Sequence, residues 1–144
     1  MTTGWIRGVY PSRETARAAV RCNDLFVAEE EGRIVAAARI NQEQVPEYAD
    51  ADWQYDAPGE QVMVLHTLVV SPAERGKGLG TGFVGYYETY ALERGCRYLR
   101  MDTNEKNTGA RALYRKLGYR EVSVVPCVFN GIPDVRLVCL EKKL

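Results

Sequence analysis

At 144 residues, 46% hydrophobic and 26% charged, the chain has the size and composition of one globular domain, 1–144. Lys plus Arg and Asp plus Glu both number 19, so no global field favours nucleic acid or an anionic membrane, and no apolar run approaches the ~20 residues of a membrane span. Four cysteines (Cys22, Cys96, Cys127, Cys139) without a CxxC pair, a single histidine (His66) and an opening that is no signal peptide argue against a metal site and for free thiols in a reducing cytoplasm.

In chain order, Ser12 follows Pro11 and is placed to cap a helix through RETARAAVRC. LFVAEE and RIVAAARI flank Glu31-Gly32 and read as an antiparallel hairpin. NQEQVPEYADADWQYDAPGEQ has two prolines and no period, and reads as a loop. VMVLHTLVV is a buried strand by length and β-branching. From Leu79 the apolar residues Phe83, Tyr86, Tyr87, Tyr90 and Ala91 recur at helical spacing, with Gly95 where a C-terminal cap belongs. RYLRMD is the next strand, and a helix between two strands implies a parallel pair. A further helix runs from about Asn107 to Gly118. Two strands, YREVSVVPCVF and VRLVCLEKKL, then flank the Asn130-Gly131 turn. The sum is an α/β domain with a mixed sheet, antiparallel at its start, then a parallel pair with helices on both faces.

SPAERGKGLGTG, Ser71–Gly82, follows the buried strand and places Gly76, Gly78, Gly80 and Gly82 at alternate positions with Arg75 and Lys77 among them. A strand, a glycine-rich turn and a helix form an anion site, because the first helical turn has unpaired N–H groups and glycine lets the backbone approach a phosphate. GTGFVG, Gly80–Gly85, matches the dinucleotide pattern G-x-G-x-x-G, with Asp102 where a ribose-binding acid would sit, which admits a nucleotide-dependent reductase. SPAER separates that pattern from the strand end where the fingerprint begins, and its last glycine falls inside the helix. A Walker loop is excluded because Gly76-Lys77 precedes Gly78 and not Ser or Thr.

Arg75-Gly76-Lys77-Gly78-Leu79-Gly80 resembles the R/Q-x-x-G-x-G/A motif of the GCN5-related N-acetyltransferases, whose backbone amides wrap the pyrophosphate of coenzyme A. NTGARALYRKLGYR resembles that family's N-x-x-A-x-x-L-Y-x-x-L-G-F, with Asn107, Ala110, Leu113, Tyr114, Leu117 and Gly118 in place. The resemblance covers Gln61–Tyr119 well and the flanking strands more loosely. It departs at the front: the family opens with a strand and most of a helix, whereas Trp5 arrives almost at once, so that first strand is expected to be absent and the substrate side of the cleft altered.

The resemblance implies an acetyl-coenzyme A-dependent N-acetyltransferase acting by direct attack in a ternary complex. The acceptor would be a primary amine of a small molecule or peptide. A non-catalytic acetyl-coenzyme A-binding module is the alternative. Leu68, Val69 and Val70 would pair with the pantetheine arm by strand addition, a backbone N–H near Val70 facing the thioester carbonyl. Arg75, Gly76, Lys77, Gly78, Leu79, Gly80, Thr81 and Asn107 would hold the cofactor, and Tyr114 would contact it and protonate the leaving sulfur.

An alkylammonium of pKa ~10.4 must lose a proton before it attacks. His66 is the candidate base or water relay, and strand parity puts it on one face with Val64, Leu68 and Val70. Glu60, Asp102 and an acid of the long loop are further candidates. Cys96, Cys127 and Cys139 read as packing residues. The loop holds Glu43, Glu47, Asp50, Asp52, Asp56 and Glu60 with no Lys or Arg, interleaved with Tyr48, Trp53 and Tyr55. It reads either as a solvated surface or as a lid over the acceptor cleft that favours a cation. A homodimer sharing C-terminal strands is compatible with this sequence.

Overall fold

The computed structural model describes residues 12–144. Helix α1 (Arg13–Arg21) begins at Ser12, whose Oγ accepts the Thr15 N–H while Thr15 Oγ1 accepts the Ser12 N–H, a reciprocal cap. Strands β1 (Leu25–Glu30) and β2 (Arg33–Asn41) turn through Glu31 and Gly32 at φ 52° and 76°, the paired left-handed geometry that matches strand twist. β3 (Val62–Val70), α2 (Leu79–Glu93), β4 (Tyr98–Asn104) and α3 (Thr108–Lys116) follow. The hairpin of β5 (Arg120–Phe129) and β6 (Ile132–Lys143) closes the chain through Asn130-Gly131, at φ 51° and 80°.

Both long-range helices end in the same device. The Gly95 N–H donates to Leu92 O and the Cys96 N–H to Ala91 O; at α3, Gly118 and Tyr119 do the same to Arg115 and Tyr114. Each glycine takes the positive φ that this double bond requires, 75° and 95°.

Among the described residues six strands form one sheet in the order β1-β2-β3-β4-β6-β5, and of these pairs β3 with β4 is the parallel one. One face carries Met63, Leu65, Leu99, Met101, Val138 and Leu140 against Phe83, Val84, Tyr87 and Ala91 of α2 and Tyr114 of α3. The other face, Val62, Val64, Val125, Leu137 and Cys139, is closed chiefly by residues 45–57, with Tyr48 of a short turn (Pro46–Asp50) buried at its centre. α2 and α3 therefore share one face, and the loop does most of the covering on the other. The expected absence of an opening strand concerns residues that lie outside those described. No helix among the described residues is long and apolar enough to cross a membrane.

Two irregularities in β3 shape everything that follows. Its ladder with β4 runs from Val62↔Tyr98 to Leu65↔Met101 and stops, while β3 stays with β2 as far as Val70 and β4 stays with β6 as far as Asn104. The sheet thus splits between its two parallel strands. In addition, Ala37 pairs with Val69 but Arg39 with His66, so Thr67 and Leu68 together oppose Ala38. Thr67 sits at φ 53°, a conformation that costs a β-branched residue energy. The extra residue reverses the facing of all that follows. Leu68 and Val70 join Leu65 on the helix face, whereas Val62 and Val64 lie on the other. The parity that grouped His66 with Leu68 and Val70 is therefore corrected: it holds back to Val64 and fails beyond the bulge.

The paired part of β3 and β4 is tied to α2 by Tyr87, fully buried, whose hydroxyl lies 2.6 Å from Met63 O and 3.2 Å from Arg100 O. Tyr87→Phe leaves the ring in place but removes the donor from two buried carbonyls, and should lower stability by about 1–3 kcal/mol. Thermal unfolding followed by circular dichroism checks this.

Candidate active site

The split between β3 and β4 opens into a cavity of about 520 Å³. His66 and Leu68 of β3, Asp102, Thr103 and Asn104 of β4, and Asn107, Ala110 and Tyr114 of α3 line it. Arg39 of β2, Glu43, Val45–Glu47 of the long loop, and Phe129, Asn130 and Ile132 at the β5–β6 hairpin complete the wall, with Thr15 of α1 at its edge. Of the residues singled out in the sequence, His66, Leu68, Asn107, Tyr114 and Asp102 meet here. Val69, Val70 and Arg75–Thr81 do not line the cavity; they continue from the open end of β3. Glu43 and Glu47, named among the acids of the long loop, also reach the cavity, whereas the hairpin tip was not legible as part of the site. Asn130-Gly131 marks a turn, but nothing local says where that turn lands.

The glycine loop divides its tasks. Gly76 and Gly78 have φ 79° and 77°, with open space where a Cβ would be, so they serve backbone conformation. Gly78 is the N-cap of α2 and offers no side-chain cap, which leaves the first amides of the helix without a side-chain acceptor. A Cβ on Gly80 would stand 3.1 Å from Leu113 Cδ2, so Gly80 lets α2 start against α3, one residue from Tyr114. Gly80, Gly82 and Gly85 all lie within α2. The dinucleotide pattern therefore has no strand-to-helix turn on which to act.

Lys77 is not a free cation: its Nζ lies 2.7 Å from Glu74, a buried carboxylate that Arg33 also approaches at 3.3 Å. The Lys77 hydrogen bond holds the Glu74 carboxyl below its ordinary range, and Glu74 in turn raises Lys77. Arg75 is exposed, with no ion-pair partner among the described residues.

Asn107 caps α3, its Oδ1 accepting the Ala110 N–H at 3.2 Å, which leaves its amide NH₂ for the cavity. Tyr114 is buried against Leu113 and Tyr119, and burial first, then the charge of Asp102, push its phenol up to about 12. The hydroxyl stays protonated throughout the neutral range.

His66 is buried with its Nε2 2.8 Å from Asn41 Oδ1. That oxygen also accepts the Glu43 N–H, and the Asn41 amide nitrogen donates to Asp24, so Nε2 carries the proton. Burial, and then the neighbouring Arg39 guanidinium, lower His66 to about 4. The ring is neutral at physiological pH.

Asp102 behaves oppositely. Its Oδ2 accepts the Tyr48 hydroxyl at 2.6 Å, yet desolvation outweighs that bond and, helped by Glu47, raises the carboxyl to about 6.

The long loop is a packed wall. Arg100 donates to Gln44 Oε1 and Tyr55 O and lies over the Trp53 ring, the Gln54 N–H donates to the buried Glu141, and Trp53 Nε1 donates to Tyr48 O. Tyr48 and Trp53 are engaged by these contacts and by each other, and the Tyr55 ring lies beside Tyr98. Glu43 and Glu47 reach the cavity, whereas Asp52 and Asp56 border a second hollow beyond Val45 and Pro46. Cys96 and Cys139 are buried, Cys127 partly so, and all four cysteines are free thiols.

Residues 3–119 match the acetyltransferase (GNAT) family, and the chain belongs to it. An uncharacterized N-acetyltransferase of Methanocaldococcus jannaschii is 33% identical over 76 residues, 53% of this chain and 34% of its own length. The aminoglycoside N(6')-acetyltransferase type 1 of Salmonella typhimurium is 26% identical over 82 residues, 54% of this chain and 57% of that protein. This chain thus spans about a third to three fifths of such relatives. Among solved structures, a GNAT-family acetyltransferase of Streptococcus agalactiae superposes with a TM-score of 0.75 at 23% identity, covering 96% of this chain and 76% of that one. An acetyltransferase of Salmonella typhimurium, solved with its cofactor acetyl-CoA, gives 0.66 at 19% identity over 91% and 72%.

The folded Asp102 carboxyl holds its proton to higher pH than the unfolded one. Asp102 therefore contributes stability below about pH 4 that is lost as pH rises through about 6. Asp102→Asn should raise the melting temperature by a few degrees at pH 8 and leave it unchanged at pH 4, as differential scanning calorimetry at the two pH values will read.

Proposed function

We propose that this chain is an acetyl-coenzyme A-dependent N-acetyltransferase. It moves an acetyl group to a primary amine of a small molecule or peptide by direct attack in a ternary complex. The observation that carries the reading is the split of β3 from β4, with a glycine-shaped helix start at its outer end and the Tyr114 phenol inside.

The residues present suit the co-substrate. Residues 68–70 have no ladder partner on the side facing β4, so their backbone edge fits an amide-bearing arm. Beyond them, the first amides of α2, with Arg75 and the positive φ of Gly76 and Gly78, suit a pyrophosphate, and Asn107 offers its NH₂. Lys77 acts through Glu74 to shape the loop more than as a free charge. Acetyl-coenzyme A supplies the activated acyl group; a backbone N–H beside Val70 faces the oxyanion, and Tyr114 gives its proton to the departing sulfur. The burial that raises the phenol also raises a thiol formed beside it, so donor and acceptor stay matched. A reducing, cytoplasmic setting suits the four free thiols, and a homodimer is compatible with the place of β5 at the end of the strand order.

Coenzyme A release, followed by thiol titration with an amine panel, tests this reading. Tyr114→Phe should lower kcat about ten- to a thousandfold with cofactor affinity little changed, because its contact forms only as the thiolate departs. Gly78→Asp should abolish cofactor binding in calorimetry, since it sets a carboxylate and an unfavourable φ where phosphate belongs. Binding without turnover by the parent protein would leave a binding module instead.

A further inference from the structure

We propose that Asp102 takes the proton from the acceptor ammonium, with Tyr48 as the residue that positions its carboxylate. The inference rests on the acetyltransferase reading and names the acceptor class, a cationic amine.

Position carries it. Met101 is the last β4 residue paired with β3, so Asp102 is the first residue past the split. Alternation along β4 sets Met101 on the helix face and Asp102 on the other, toward Tyr48. Tyr114 enters the same cavity from α3 on the helix face. A proton acceptor and a proton donor thus approach one cavity from opposite faces of an opened sheet. The two groups can therefore serve the nitrogen that adds to a thioester carbonyl and the sulfur that leaves it without competing for one position.

The carboxylate is held yet available. Oδ2 accepts the Tyr48 hydroxyl, and the second oxygen takes no hydrogen bond from a described residue, while the side chain is partly open to the cavity. The titratable groups around it are Glu47 and Tyr48 from the loop, Tyr114 from α3, Cys127 from β5 and Cys139 from β6. None of these is a cation. Across the split the cavity also holds the neutral His66, Glu43 and the Arg39 guanidinium, which is paired with Asp24 and Glu43. An incoming ammonium therefore meets the Asp102 and Glu47 carboxyls without a free cation beside them. His66 donates its Nε2 proton to Asn41, and burial with the neighbouring Arg39 guanidinium lowers the basicity left on the ring to a pKa of about 4.

The step balances. The ammonium gives one proton to Asp102, and the neutral nitrogen attacks. The C–N bond forms as C–S breaks, and the Tyr114 proton goes to sulfur. The second nitrogen proton refills the phenolate, and Asp102 releases its own to solvent. One proton leaves for each amide and thiol formed.

The test is kcat/KM against pH from 5 to 9, by thiol release, with 1,4-diaminobutane, kanamycin A and an N-terminal alanyl peptide as acceptors. The parent should lose activity as pH falls through about 6. Asp102→Asn should lower kcat/KM at least a hundredfold and abolish that limb, with acetyl-coenzyme A affinity within twofold of the parent. Tyr48→Phe removes a bond that favours the carboxylate, so its limb should move to higher pH with a smaller loss of rate. A folded Asp102→Asn that keeps rate and limb overturns the assignment alone, as does an unmoved limb in Tyr48→Phe. Absence of thiol release by the parent with every acceptor overturns the acetyltransferase reading, and this assignment with it.

Discussion

Four ladder pairs hold β3 to β4, and then the strands separate. The rest of the site depends on that short parallel register. Each strand keeps its outer neighbour, β2 on one side and β6 on the other, so the gap opens without breaking the sheet into two. Tyr87 fastens the paired segment to α2 just before the opening. The bulge at Thr67 does the remaining work, bending β3 and turning Leu68 and Val70 toward the helices. A strained residue at φ 53° is tolerated because β2 and the core hold both sides of it.

Desolvation acts on both acid–base candidates and sends them in opposite directions. It disfavours charge on each, which lowers the histidine and raises the aspartate. Their neighbours then act on each in turn. Arg39 and Asn41 commit His66 to neutrality and to one tautomer, while Glu47 and the Tyr48 bond leave Asp102 titrating near the physiological range. Burial thus moves the histidine pKa away from neutral pH and the carboxyl pKa toward it.

The loop between β2 and β3 shows how composition can mislead about role. Six acids without a single basic residue suggest a mobile charged lid. The chain instead buries Tyr48, stacks Trp53 under Arg100 and ties its backbone to Glu141, because among the described residues α2 and α3 pack on the first face and the apolar residues of the second are left chiefly to this loop. Only its first part, through Glu47, turns acid toward the cavity.

Much was legible in the linear chain, and for one reason: the signals were local. Ser12 and Asn107 cap helices through side chains that reach three residues ahead. Gly95 and Gly118 end helices because the next bonds need positive φ, and Glu31-Gly32 and Asn130-Gly131 turn strands by the same freedom. The glycine loop and the Asn107–Gly118 segment are equally short in range, so the resemblance to the family could be seen in the linear chain. The tertiary structure alone decided what depends on distant partners. A one-residue bulge, set by pairing with β2, reversed the facing of Leu68 and Val70. Glu74 decided that Lys77 is held, and Leu113 decided why Gly80 is bare. Asp102 acquired its properties from Tyr48, 54 residues earlier, and from the loss of water around both. Solvation and long-range register are sums over the folded chain, and no local window contains them.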